Sequence, residues 1–434
     1  MRALFAAPLG ADFWKLWTSS AVSNLGDGVT MVAGPLLVAS ISPDPTAVAL
    51  AAFAQQLPWL FFALISGAWA DRLDRRRLVV TVNLIRAAAL AVLALAVAAG
   101  SANIPLILGI CFVLGTGETL ADTASAAFVP AIVPPEQRPR ANSLLYATFN
   151  LINQFAAKPL GAWFFVIAAA LPFGVNAATF LLSALLVAAI RSVPSPSRGV
   201  PSDVLTAAST NASGSAMSSA TGETAPARRV FGGLLAEIRE GLRFLFRHRL
   251  LRTLAVTMAV ANLVFCAAFA IFVLYAKERL GLSDVGYGVL LIAFAVGGFL
   301  GTLVAPRLIR VVGPSPLLRI GLLIEVALHA TLALTTTPLL AGLMIVVFGI
   351  HTTVWGVVVT TIRQRDIPLA LFGRVTSVYS VVDLAGAATG SLLGGLVAAA
   401  FGIVATYATA AVAMLVVALA AWRPLRNAAV PITP

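Results

Sequence analysis

"GAWADRLDRRRLVV" occupies residues 67–80 and crowds charge between Asp71 and Arg77, in a chain that is 60% hydrophobic and only 11% charged. The flanking stretches, "LPWLFFALISGAWA" and "LVVTVNLIRAAALAVLALAVAAG", are almost free of charge. The cluster is therefore no face of a soluble helix, whose polar positions would recur every three or four residues. It reads as a tight turn between two membrane spans.

Composition points the same way. With 434 residues and a mean hydropathy of +0.96, the chain has too little polar surface to be wetted as a soluble globule. A span needs roughly 20 apolar residues to cross about 30 Å of hydrocarbon. About twelve such stretches occur, with cores at 16–40, 47–70, 78–100, 104–127, 142–168 and 171–190, then 251–276, 285–308, 316–335, 338–361, 375–400 and 402–422. Each is expected to be a helix, because backbone polar groups in lipid must pair within their own segment.

Basic residues alternate between loops. Arg72, Arg75, Arg76, Arg77, Arg138, Arg140, Arg307, Arg310, Arg319, Arg363, Arg365 and Arg374 fall in one set, whereas the opposite set holds only Lys277 and Arg279. Lys and Arg near span ends are retained on the inner side, so both termini are expected in the cytoplasm. This asymmetry accounts for the net charge of +12, and no nucleic-acid partner is expected. "MRALFAAPLG" is too short before Asp12 for a secretion signal and reads as the lead into an uncleaved first span. Cys111 and Cys266 lie inside spans and imply no disulfide framework, and they and the three histidines are too scattered for a zinc site.

The organisation predicted is an N-terminal six-helix bundle over 1–191, a disordered cytoplasmic linker rich in Ser, Ala and Pro over 192–229, an amphipathic cytoplasmic helix over 230–249 and a C-terminal six-helix bundle over 250–434. The amphipathic helix carries Leu234, Leu235, Ile238, Leu242 and Leu245 at helical spacing and is expected on the inner leaflet. The Asn211 sequon falls in the linker and is read as a chance match. The halves resemble one another: Pro134 and Arg140 recur as Pro368 and Arg374, and Gly67 recurs as Gly301, all at an offset of 234. Duplicated six-span halves with substrate bound near the bilayer midplane are a transporter architecture.

"GAWADRLDRRR" resembles the loop between spans two and three of the major facilitator superfamily, roughly Gly-x-x-x-Asp-Arg-x-Gly-Arg-Arg, with Asp74 where Gly is usual. "SNLGDGVTMVAGPLLV", "GTGETLADTASAAFVPAIVPPEQRPRANSL" and "EGLRFLFRHRLLR" are similar to bacterial permeases of the branch containing siderophore and macrolide exporters. The resemblance implies an all-α integral membrane fold in the bacterial inner membrane. It also implies that Gly67, Asp71, Arg72, Arg75, Arg76 and Arg374 form a conformational latch. The competing reading is that the arginines of the turn only enforce topology.

Ionisable residues at membrane depth are costly and are functional candidates by default. They are Asp27, Arg86, Glu118, Asp122, Lys158, Glu325, His329, His351 and Asp383. Because spans one, four, seven and ten line the cavity in the family, Asp27 and Glu118 are the candidate proton carriers or cation contacts, with Asp122 one turn from Glu118. Desolvation favours the neutral carboxyl, which is what lets such a group carry a proton. The alternative is a static bridge from Arg86 to Asp122 or Glu118. Glu325 and His329 are expected to pair with each other or with lipid headgroups, and His351 and Trp355 share a face that either touches substrate or packs in the core.

Span five has "AKPLGA" at 157–162 where relatives tend to have Gly-Pro-Pro-Leu-Gly-Gly. The change argues against close helix packing there and leaves Lys158 to bind an anionic substrate, to neutralise Asp27 or Glu118, or to snorkel to an interface.

The expected function is secondary active transport: proton-coupled export of small amphiphilic compounds by a monomer whose partners are its substrate, protons and membrane lipids. A transporter-like sensor or scaffold, or an importer or lipid transporter of the same fold, is the alternative. No P-loop or convergent nucleophile set occurs, so neither enzyme activity nor a cofactor or metal is expected.

Overall fold

Helices occupy each of the apolar stretches. The computed structural model describes residues 9–72, 74–125, 128–190 and 239–427, without the side chains of 60–72, 123, 139, 150, 154, 155, 369, 370, 373, 374, 377 and 380. The N-terminal helices are α1 (Ala11–Ile41), α2 (Pro45–Arg72), α3 (Arg75–Ala98), α4 (Ile104–Ser125), the short α5 (Phe128–Ile132), α6 (Arg138–Thr148), α7 (Ala157–Ile167) and α8 (Leu171–Ala188). A π-helical segment, Phe149–Ala156, joins α6 to α7 without a break. The C-terminal helices are α9 (Arg249–Ala270), α10 (Asp284–Val312), α11 (Pro314–Leu334), α12 (Pro338–Asp366), α13 (Leu369–Phe401) and α14 (Ile403–Ala421).

Among the described residues, 10 helices are long and apolar enough to cross a membrane. The remaining two expected spans are α2 and the α6–π–α7 stretch, both helical throughout. Helix ends follow local chemistry. Asp74 caps α3, its carboxylate accepting from the backbone N–H of Arg76 at 3.0 Å and Arg77 at 3.2 Å. Gly313 and Gly402, with φ of 85° and 87°, turn the chain straight from α10 into α11 and from α13 into α14.

Contacts divide the chain into two compact units, Met1–Pro43 with Leu50–Gly214, and Asp44–Ala49 with Ser215–Pro434. In the first, α1 packs on α7 and α8, and α3 packs on α4 and α8. In the second, α9 packs on α13, α10 on α12, and α11 on α12 and α14. Small residues set these seams, because lipid offers helices no hydrophobic gain from meeting each other and close backbone approach must supply the attraction. A Cβ on Gly390 would stand 2.1 Å from Leu263 O, and one on Gly394 2.1 Å from Ala267 O.

The equivalent seam in the first unit is also tight, since a Cβ on Gly161 would lie 2.5 Å from Val29 O. The loose packing expected from "AKPLGA" is therefore not found: Gly161 and Gly28 let α1 and α7 touch although Lys158 replaces a smaller residue. A further repeat at the same offset appears, as Gly115 and Gly349 (349 − 115 = 234) each face a neighbouring backbone carbonyl, Gln55 O and Phe294 O.

The linker expected over 192–229 lies outside the described residues, as do Leu234, Leu235 and Ile238. Residues 239–247 are helical. Here Leu245 is buried in the core of the second unit beside Leu251, Leu254 and Leu318, with Leu242 and Phe244 packed against it. This part of the expected leaflet helix thus buries its apolar stripe in protein.

Candidate functional site

A ladder of polar side chains runs along the α1, α3 and α8 interface of the first unit. At one end Ser19 and Ser183 are hydroxyl to hydroxyl at 2.7 Å, and Asn83 donates to Ser183 at 3.1 Å. At the other Asn176 donates to Thr30 Oγ1 at 2.7 Å. Between them Arg86 Nη2 stands 3.2 Å from Asp27 Oδ1. The spacing of Asn176, Thr179 and Ser183 places all three on one stripe of α8, a signal present in the sequence that the reading of charged residues alone passed over.

Arg86 is the centre of the site. Its side chain is 7% exposed, whereas Asp27 is 37% exposed, so the carboxylate faces open space and the guanidinium does not. The guanidinium lies 3.9 Å over the Phe180 ring. Its aliphatic stem passes through room left by Gly117, where a Cβ would meet Arg86 Cγ and Cδ at 2.8 Å.

Glu118 and Asp122 lie on the same face of α4 and interact electrostatically with Arg86 and with Asp27. Gln55 of α2 hydrogen-bonds Glu118. The expected static bridge from Arg86 to Asp122 is replaced by a pair with Asp27, because α1 and α3 present those two side chains at one level beside α8. Arg86 Nε has no hydrogen-bond partner among the described residues, so donor capacity remains on this cation.

Asp27 thus pairs with the guanidinium, while Glu118 and Asp122 feel its charge from α4, so three carboxylates lie around one buried arginine.

Lys158 follows the π segment on α7 and is 2% exposed. It is enclosed by protein, which removes the expectation that it snorkels to an interface. Of the expected latch, the side chains of Gly67, Asp71 and Arg72 in the turn and of Arg374 on α13 lie outside the described ones. Arg76 donates to Ala188 O at the end of α8, and Lys15 donates to Ala189 O at 2.8 Å, so two cations close that helix terminus. Arg75 opens α3 directly after the Asp74 cap.

In the second unit, His351 and Trp355 do share a face, with ring centroids 5.7 Å apart, and both are buried. Trp355 Nε1 is 3.0 Å from Met258 Sδ. Asp383 of α13 accepts from Asn262 through its backbone carbonyl at 2.7 Å and feels the charge of Arg363. Sequence reasoning missed a stack of rings on α9, α10 and α12, in which Phe265 lies 5.6 Å from Phe269, 6.2 Å from Phe294 and 5.7 Å from Phe348.

The model of the Major Facilitator Superfamily matches residues 16–382. The chain belongs to the Major Facilitator Superfamily. Its relatives in that superfamily include the multidrug efflux pump Tap of Mycolicibacterium fortuitum, 26% identical over 411 residues that cover 93% of each chain. The MFS-type transporter YkuC of Bacillus subtilis is 25% identical over 355 residues, 79% of this chain and 72% of YkuC. Among solved structures, a bacterial homologue of the iron transporter ferroportin in its inward-facing state superposes with a TM-score of 0.72 at 16% identity, over 97% of this chain and 100% of the other. At that identity the likeness shows the fold alone. Superfamily membership makes the chain a multi-pass membrane transporter of a small molecule.

Proposed function

We propose that the protein exports small amphiphilic compounds by alternating access, driven by protons moving the opposite way. The observation that carries this reading is the group of Asp27, Glu118 and Asp122 around the buried Arg86. A site with more carboxylates than cations can hold a proton or a positively charged amphiphile, and competition between the two is what antiport requires. Asp27 and Glu118 are the carriers, and Asp122 tunes them from one turn away. Support for the direction of transport comes from Tap, which is named as an efflux pump. The protein acts as a monomer in the bacterial inner membrane with both termini in the cytoplasm.

The test is flux of a fluorescent lipophilic cation in proteoliposomes with an imposed pH gradient. Asp27→Asn and Glu118→Gln are each expected to abolish uphill movement and to make what cation binding remains less sensitive to pH, while leaving thermal unfolding close to wild type. Full gradient-driven flux in both variants removes the two carboxylates from the mechanism.

A further inference from the structure

Glu325 on α11 meets His351 on α12, and neither belongs to the Arg86 site. His351 Nε2 lies 3.5 Å from Glu325 Oε1, with the two side chains 5% and 8% exposed. The imidazole is seated by Gly321, one turn before Glu325, where a Cβ would stand 2.3 Å from His351 Cε1 and 2.9 Å from Trp355 Cε3. Phe348 and Trp355 flank the ring, so its surroundings are apolar apart from the carboxylate.

His329 closes the group from one turn further along α11. Its Nδ1 is 2.8 Å from Glu325 O. A carbonyl only accepts, so Nδ1 carries the hydrogen and is committed to the backbone. Nδ1 lies 3.9 Å from Glu325 Oε2, too far for a hydrogen bond. Oε2 accordingly has no hydrogen-bond partner among the described residues, although it is buried.

Of the other titratable groups on these helices and those packed against them, Arg365 and Asp366 of α12 pair with each other. Tyr407 of α14 donates to Ala268 O, Arg319 of α11 donates to Ser315, Arg363 of α12 donates to Thr376, and Asp284 of α10 pairs with Lys277. Among the described residues, the ion-pair contacts of Glu325 within 4.0 Å are the two histidines alone. No group of three His, Cys, Asp or Glu that could hold a metal ion occurs among them either.

We propose that Glu325 and His351, backed by His329, form a second proton-binding site, within the C-terminal unit. With both imidazoles neutral and the carboxylate ionised, one negative charge is uncompensated and Oε2 is bare. One proton from water, taken by the carboxylate at its bare Oε2, neutralises the pair, and it returns to water with no other bond changed. In transport this site would carry a proton besides those of Asp27 and Glu118, a role that rests on the proposed antiport. Proton binding itself does not, and is read without flux.

The experiment is infrared difference spectroscopy of the full-length protein in lipid nanodiscs, recorded across a pH series. A carboxyl C=O band that titrates in the wild type is expected to vanish in Glu325→Gln and to persist in Asp27→Asn. In His351→Gln its midpoint should move by about 1 pH unit, a roughly tenfold change in proton affinity. Should Glu325→Gln fail to fold in a thermal unfolding control, the shift in His351→Gln carries the result. A band unchanged in Glu325→Gln, or an unmoved midpoint in His351→Gln, overturns the site. Gradient-driven flux that survives in Asp27→Asn alongside a band assigned to Glu325 counts against the Asp27 mechanism and leaves this site standing.

Discussion

Lys158 is the residue at which chain and branch pattern part company. Its ammonium sits on a helix pressed against α1 and is enclosed by protein. A buried ammonium is tolerated only with groups that meet its charge, so its removal should be felt in function. Met keeps much of the length and deletes the charge. Lys158→Met is expected to change the pH profile or substrate preference of flux more than protein yield, measured with cationic and anionic amphiphiles side by side. An identical profile for both would return Lys158 to scaffold. The site was partly legible at this scale: Asp27, Glu118 and Asp122 stand out because charge inside a span demands a reason. The Glu118–Asp122 turn was legible from spacing, but the place of Asp27 beside Arg86 was not. Which carboxylate Arg86 meets depends on how α1 and α3 are rotated about their own axes, and hydropathy carries no such angle. The same holds for His351, whose contact with Glu325 is made by the hollow at Gly321 rather than by any spacing.

At the scale of helices, the seams are made of glycine backbones touching carbonyls. Gly390 of α13 has Leu263 O so close that a branched side chain must push α9 away, a distortion of the kind that typically costs about 1–3 kcal/mol and more where backbone must move. Gly356 of α12 has nothing within 4 Å of its Cβ position. Gly390→Val is therefore expected to lower the thermal unfolding midpoint by several degrees, and Gly356→Val to leave it nearly unchanged. Equal midpoints would show that the α9–α13 seam yields freely. Apolar length alone revealed the helices, since lipid leaves the backbone few alternatives. The cap supplied by Asp74 was hidden because the turn was read for its charge, and a carboxylate directly before a run of arginines looks like part of that charge.

Across the whole chain, the repeat at 234 residues was visible in Pro134, Arg140 and Gly67, and the Gly115–Gly349 pair extends it into the packing. An even number of spans puts both ends on one side of the membrane, and the orientation proposed from the arginine distribution has that side inside. A green fluorescent protein fused at either terminus should accordingly fluoresce in cells, and a phosphatase inserted between α9 and α10, near Lys277, should be active. Phosphatase activity at both termini instead would invert the topology.

The π segment ahead of Lys158 has an effect that substitutions do not reach. Pairing of residue i with i+5 inserts extra residues into the helical count, so α6 and α7 are two α-helices out of phase with each other along one continuous rod. Each residue of an α-helix advances the face by about 100°. Straightening the segment to α-helix with all its residues kept would swing everything beyond it, Lys158 and Gly161 together, off the surface of α1, whereas deleting one residue within 149–156 would let it relax to α-helix with that face nearly kept. The phase of this rod, set by residue count and not by residue type, is what aims a cation and a glycine at the same neighbour.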